Sequence, residues 1–159
     1  MKQSKKTRLL GKILFVLYLA FVIYFLLFSD WYGRSGTFQE YHYNLELFKE
    51  IKRFWYYRNQ VGLLSVGMNI VGNVVIFIPL GFFLPMASRG RSLFLTVFYG
   101  FGLSLLVETF QLLTKVGSFD VDDLLLNTAG SLLGYLLFMV CAAIRRKNVR
   151  SKKNKNRKR

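Results

Sequence analysis

Three apolar segments of this 159-residue chain carry polar side chains at helical spacing. In the middle segment, Ser104, Glu108 and Gln111 recur every three or four residues, so they share one face of a helix. The neighbouring segments carry similar stripes, which comprise Ser65, Asn69 and Asn73 before it and Asp123, Asn127 and Ser131 after it. Such groups can bind a polar ligand, transfer a proton or join helices by hydrogen bonds, because polar groups in apolar surroundings need partners.

Glu108 is the most informative of these residues. It precedes Lys115 by seven positions, which corresponds to about 10 Å along a helix. A carboxylate at that depth is protonated, paired with a cation, or hydrogen-bonded by neighbours such as Asn73, Gln111 or Asn127. Two interpretations remain open: Glu108 joins helices as a structural group, or it binds or acts on the headgroup of a ligand.

A second acidic group, formed by Asp120, Asp122 and Asp123, directly precedes the last apolar segment. Acidic residues at the start of a helix satisfy free N–H groups and complement the helix dipole. Clustered carboxylates can also bind a divalent cation, although the spacing of a complete calcium loop is missing. Capping is the favoured interpretation, and cation binding is the weaker alternative. The chain contains no phosphate-binding loop, dinucleotide-binding loop or zinc-ligand spacing, so we expect neither a metal nor another cofactor.

The elements that carry these residues are predicted to be membrane-spanning helices. A helix of about 20 apolar residues crosses the hydrocarbon core of a bilayer. Four segments reach that length, and their approximate bounds are 9–28, 61–86, 92–114 and 124–144. The fold class is therefore an all-α integral membrane protein with four transmembrane helices in one domain, residues 9–144. We expect a multi-pass protein of the plasma membrane.

Charge predicts the orientation of these helices. The chain has a net charge of +15, and most of its 23 basic residues lie in the N-terminal flank, the connection 87–91 and the tail 145–159. Basic segments remain on the cytoplasmic side, so both termini are predicted to be cytoplasmic. The basic tail 145–159 is expected to be disordered and to contact the anionic inner leaflet rather than nucleic acid.

The segment from Glu40 to Tyr57 is predicted to form an external amphipathic helix between the first and second spans. Leu47, Ile51 and Trp55 share one face of such a helix, whereas most charged residues of the segment lie on the other. An amphipathic helix of this kind lies flat on the outer leaflet. A lid over an external site is the functional alternative.

Four blocks of sequence, spread over about residues 43 to 138, resemble the VanZ-like family. The blocks are Tyr43-Asn44-Leu45, Asn69-x-x-Gly72-Asn73-x-x-x-Phe77-Ile78-Pro79-Leu80-Gly81-Phe82, Glu108-x-x-Gln111, and Phe119-Asp120-Val121-Asp122-Asp123-x-x-x-Asn127-Thr128-x-Gly130-x-x-x-Gly134. The chain departs from the family where Glu46-Leu47 replaces a frequent Ile-Pro pair and where Gly117 replaces a frequent arginine. The resemblance implies a membrane protein associated with low-level resistance to teicoplanin, a lipoglycopeptide, but it implies no reaction.

The three polar stripes are predicted to meet in the outer half of the membrane. We therefore expect a polar pocket that binds a cell-envelope lipid or a lipidated ligand and reduces the access of a lipoglycopeptide to its target. The candidate residues are Asn69, Asn73, Glu108, Gln111, Asp120, Asp122, Asp123 and Asn127. Two alternatives remain: an integral-membrane hydrolase or transferase acting on envelope lipids, and a partner of another membrane protein that packs through Gly130 and Gly134. The sequence specifies neither the ligand nor the oligomeric state.

Overall fold

The long apolar segments of the chain form helices, and two very short strands lie between them. The structure is a computed structural model, which describes residues 5–28, 40–57, 63–88 and 91–157. Its elements, in chain order, are α1 (Lys5–Phe28), β1 (Tyr43–Asn44), α2 (Lys49–Tyr56), α3 (Leu63–Ala87), α4 (Leu93–Thr114), β2 (Phe119–Asp120) and α5 (Val121–Arg157).

Helices α1, α3, α4 and α5 are long and apolar enough to cross a membrane, which confirms the prediction of four such helices. Their bounds differ from the predicted ones mainly at the two ends of the chain. Helix α1 begins at Lys5, and α5 begins at Val121 and continues without interruption to Arg157. The structure therefore describes a helix through most of the basic tail, where the composition favoured disorder.

The closest helix crossing joins α3 to α5, which run parallel to each other. Gly130 lies against the backbone of Val74, and Gly134 lies one turn further along against Ile78. A Cβ atom added to Gly134 would be 2.0 Å from the carbonyl oxygen of Ile78, so only glycine permits this approach. This contact occupies the Gly130/Gly134 face within the chain itself.

The other two long helices run antiparallel to this central pair. Helix α1 packs on α3, and the hydroxyl of Tyr18 donates a hydrogen bond of 2.8 Å to the carbonyl of Ile76. Helix α4 packs on α5, and the hydroxyl of Tyr135 donates a hydrogen bond of 2.8 Å to the carbonyl of Arg91. The core between α1, α3 and α4 includes Val22, Phe77, Leu80 and Val107.

A small cap, formed by β1, β2 and α2, covers the end of the bundle at which α4 ends and α5 begins. Strands β1 and β2 pair in parallel, with Tyr43 opposite Phe119 and Asn44 opposite Asp120. The short helix α2 follows β1 and contacts both α3 and α5. The cap therefore holds the segment after α1 against the start of α5, next to the acidic residues that the sequence singles out.

Candidate functional site

The start of α5 is capped by Asp120. Its Oδ1 accepts a hydrogen bond of 2.8 Å from the N–H of Asp122, the arrangement of a helix N-cap. The same oxygen accepts a hydrogen bond of 3.1 Å from the side-chain amide of Asn44 on β1. Burial raises the pKa of Asp120, although both hydrogen bonds oppose that shift. The first aspartate of the acidic group thus joins the strand β1 to the helix α5.

Glu108 on α4 is also part of this connection. Its carboxylate accepts a hydrogen bond of 3.0 Å from the backbone N–H of Asp120, and only 3% of the residue is exposed. Because β2 immediately precedes α5, this bond places the end of α4 against the start of α5. Glu108 therefore lies beneath the cap, within the helix bundle.

Asp122 fastens the cap helix α2 to the bundle. Its two carboxylate oxygens accept hydrogen bonds from the backbone N–H groups of Phe48 and Ile51, the latter at 3.3 Å. Phe48 precedes α2 in a left-handed conformation with φ of 65°, which is uncommon for a side chain of its size. Asp122 is 1% exposed. Its carboxylate thus supplies acceptors for two N–H groups at the start of α2 that have no partner within the helix.

Two further amide contacts tie α5 to its neighbours. The side-chain amide of Asn73 on α3 donates to the carboxylate of Asp123. The side-chain amide of Asn127 donates to the hydroxyl of Ser104 on α4 at 2.9 Å, and Ser131 donates to the carbonyl of Asn127. Within the described part of the chain, the side-chain oxygen of Asn127 is a buried atom with no hydrogen-bond partner.

Gln111 lies at the edge of this arrangement, under the loop that joins α4 to β2. It is buried, and a Cβ atom on Gly117 would approach its side-chain oxygen to 3.1 Å. A long side chain at position 117 would have to displace Gln111 or point away from it. Lys115 lies two residues before Gly117, and its ammonium is 4.7 Å from the ring centre of Tyr41.

The structure brings most of the predicted residues to one end of the bundle. Asn73, Glu108 and the three aspartates form the contacts described above, Gln111 and Asn127 are buried beside them, and Asn69 has a side chain outside the described part. Asn44 and Ser104 also belong to this network. Asn44 was part of a block that resembles the family and Ser104 was part of the polar stripe of α4, but neither was among the candidate site residues. Among the described residues, no group of three or more His, Cys, Asp or Glu side chains could hold a metal ion.

The chemistry available at this end is hydrogen bonding. The carboxylates accept hydrogen bonds from N–H groups, and the side-chain amides donate them.

Comparison of the sequence with known proteins shows the family to which the chain belongs. Protein VanZ of Enterococcus faecium is 27% identical over 133 residues, which cover 82% of this chain and 74% of that protein. No solved structure matches the chain. The family model VanZ/LLP1 matches residues 15–142, most of the chain, and the protein is therefore a member of the VanZ/LLP1 family.

Proposed function

We propose that this membrane protein binds a cell-envelope lipid or lipidated ligand at the capped end of its helix bundle. In this proposal the capped end faces the outer leaflet, and occupancy of the site contributes to resistance against lipoglycopeptides of the teicoplanin type. The observation that carries the proposal is the gathering of buried acids and amides from α3, α4 and α5 beneath one cap. Buried polar groups in a membrane bundle are costly, and functional sites are the usual reason for them.

Binding is favoured over hydrolysis or group transfer by the state of the carboxylates. A general base needs an oxygen within hydrogen-bond reach of the reacting group. The oxygens of Asp122 accept backbone N–H groups, and Glu108 accepts the N–H of Asp120. Carboxylates held in this way are fixed in position by the fold and can offer their remaining lone pairs as acceptors to a ligand.

The distribution of charge supports the orientation of the site and a location in the plasma membrane. Helix α5 continues as a basic helix beyond its apolar part, and the opposite end of the bundle holds the acids of the described part of the chain. With the basic end in the cytoplasm, the positive-inside rule is satisfied and the tail lies next to the anionic inner leaflet. The cap helix α2 is then external, and its exposed Trp55 and Tyr56 lie at the depth of the headgroups.

Cysteine labelling tests this orientation. In a Cys141→Ser background, a membrane-impermeant maleimide should label Glu40→Cys in intact cells, because position 40 is exposed beside the external cap. Ser151→Cys, exposed on the basic part of α5, should be labelled only after the membrane is permeabilised. The reverse pattern would show that the acidic end faces the cytoplasm, and the proposed site would then be on the wrong side for a lipoglycopeptide.

The function itself is tested by teicoplanin susceptibility. In a strain that lacks the gene, the wild-type chain should restore protection, and Glu108→Gln or Asp123→Asn should leave the strain close to the susceptibility of the deletion. The reason is that each change removes a negative charge from the polar groups beneath the cap while it preserves the shape of the side chain. The minimal inhibitory concentration is measured together with the amount of protein in the membrane fraction.

Glu46→Gln is the matched control for these variants. It removes an acid from the same end of the molecule, but the carboxylate of Glu46 is 71% exposed and lies 4.0 Å from Lys49 on the surface. This variant should protect as well as the wild-type chain does. If Glu108→Gln and Asp123→Asn reach wild-type levels and protect equally well, the polar site has no part in resistance.

A further inference from the structure

The side-chain oxygen of Asn127 is a buried polar atom beneath the cap that lacks a hydrogen-bond partner among the described residues. Asn127 is 3% exposed, and this oxygen is a buried acceptor for which the described part of the chain provides no donor. Leaving a buried acceptor without a hydrogen bond costs the free energy of its lost hydration. Native proteins therefore rarely retain one unless a water molecule, an ion or a ligand provides the missing partner.

The surroundings of this oxygen indicate which kind of partner fits. The amide nitrogen of Asn127 is engaged by Ser104, so the oxygen remains to receive a donor. Glu108 lies one helical turn beyond Ser104 on α4, which corresponds to about 6 Å along the helix. The partner is thus a hydrogen-bond donor next to a carboxylate.

The two helices that carry these residues contribute no basic side chain to this part of the bundle. Between Ser92 and Thr114, α4 has no Lys or Arg, and α5 has none from Leu124 to Ile144. Glu108 lies in the first of these stretches. A positively charged donor is therefore complementary to this part of the bundle, whereas a phosphate or a second carboxylate would be repelled by it.

We infer that the layer formed by Ser104, Glu108 and Asn127 binds the primary ammonium group of a ligand headgroup. An ammonium presents three N–H donors and one positive charge, so it can donate to the oxygen of Asn127 and to a further lone pair of the Glu108 carboxylate at the same time. This inference rests on the proposed function and specifies its ligand class. The same chemistry could be presented by a lipid headgroup or by a small free amine.

Lipid retention tests the inference on the full chain. Delipidated protein in detergent is given equal amounts of phosphatidylethanolamine, phosphatidylcholine and phosphatidylglycerol with identical acyl chains, and native mass spectrometry measures which lipid stays bound. Choline carries the positive charge without an N–H donor, and glycerol offers hydroxyl donors without the charge. We expect phosphatidylethanolamine to be retained at least about tenfold over the other two, as one charge-assisted hydrogen bond allows.

Variants connect that preference to the site. Asn127→Leu preserves the approximate shape of the side chain and removes the acceptor, so the preference for phosphatidylethanolamine over phosphatidylcholine should fall to about one. Thr128→Val is the matched control, because the hydroxyl of Thr128 donates to the carbonyl of Leu124 within its own helix and is not part of the layer. If Asn127→Leu fails to fold, Asn127→Asp keeps an acceptor and should retain or increase the preference for phosphatidylethanolamine.

The outcomes separate this inference from the proposed function. Equal retention of the three lipids by the wild-type chain, or equal retention of the ethanolamine and glycerol lipids, would overturn the ammonium site. Loss of protection in Glu108→Gln without any lipid preference would leave the proposed function standing alone. Excess soluble ethanolamine identifies the source: displacement of the bound lipid supports a small amine as the ligand, and persistence of the lipid supports the headgroup.

Discussion

Gly134→Ala is expected to destabilise the protein severely, although it adds a single methyl group. The new Cβ would lie 2.0 Å from the carbonyl oxygen of Ile78 and 2.9 Å from the Cα of Gly81. Both contacts involve backbone, so α3 and α5 would have to separate along the crossing that joins them. Overpacking of a tight interior costs about 1–3 kcal/mol and occasionally more, and rigid backbone on both sides argues for the upper end of that range.

The measurement is the folded fraction of purified protein in mixed micelles as sodium dodecyl sulfate is increased. Gly102→Ala is the matched control, because nothing lies within 4 Å of a Cβ at that position on α4. Alanine is the better helix former by about 1 kcal/mol, so this variant should be as stable as the wild type or slightly more stable. Equal losses in the two variants would show that the α3–α5 crossing is not the close contact described above.

This crossing illustrates how much of the fold the sequence predicts. Uncharged segments of about 20 residues indicate four spans because the thickness of the bilayer imposes their length. The spacing of Gly130 and Gly134 indicates a close helix contact, since small residues four apart share one face. The identity of the partner helix does not follow from that spacing. The partner is α3 of the same chain. The spacing alone would equally have allowed a helix of another membrane protein.

The candidate site was predictable to a similar degree. Polar residues at helical spacing mark Asn73, Glu108 and Asn127 as buried, because each would be costly against lipid. The hydrogen-bond partners of these residues could not be predicted from the sequence. Strands β1 and β2 contain two residues each, too few for an alternating pattern, and they pair across 76 positions of the chain. The bonds from Asp122 to the backbone of α2 involve N–H groups that every residue of that helix carries, so no side-chain pattern indicates them.

Asp122→Asn is expected to release the cap helix α2 from the bundle. Asparagine has one side-chain oxygen in place of two, and its amide nitrogen would face the N–H of either Phe48 or Ile51, donor against donor. A hydrogen bond to a charged acceptor contributes about 1.5–3 kcal/mol, and this substitution weakens two of them in a site that is 1% exposed. Backbone hydrogen exchange over residues 48–57 should therefore accelerate by at least about tenfold.

Two comparisons make this loss of the cap specific. Exchange within the α3–α5 crossing should stay at its wild-type rate, because Asp122 lies at the start of α5, several residues before Gly130 and Gly134. Glu46→Gln should leave residues 48–57 fully protected, since the Glu46 carboxylate is on the surface. Faster exchange throughout the bundle would mean that Asp122 supports the whole fold, and unchanged exchange in α2 would mean that its two hydrogen bonds do not hold the cap. Release confined to α2 would make Asp122 the residue that joins a separable cap to the helices beneath it.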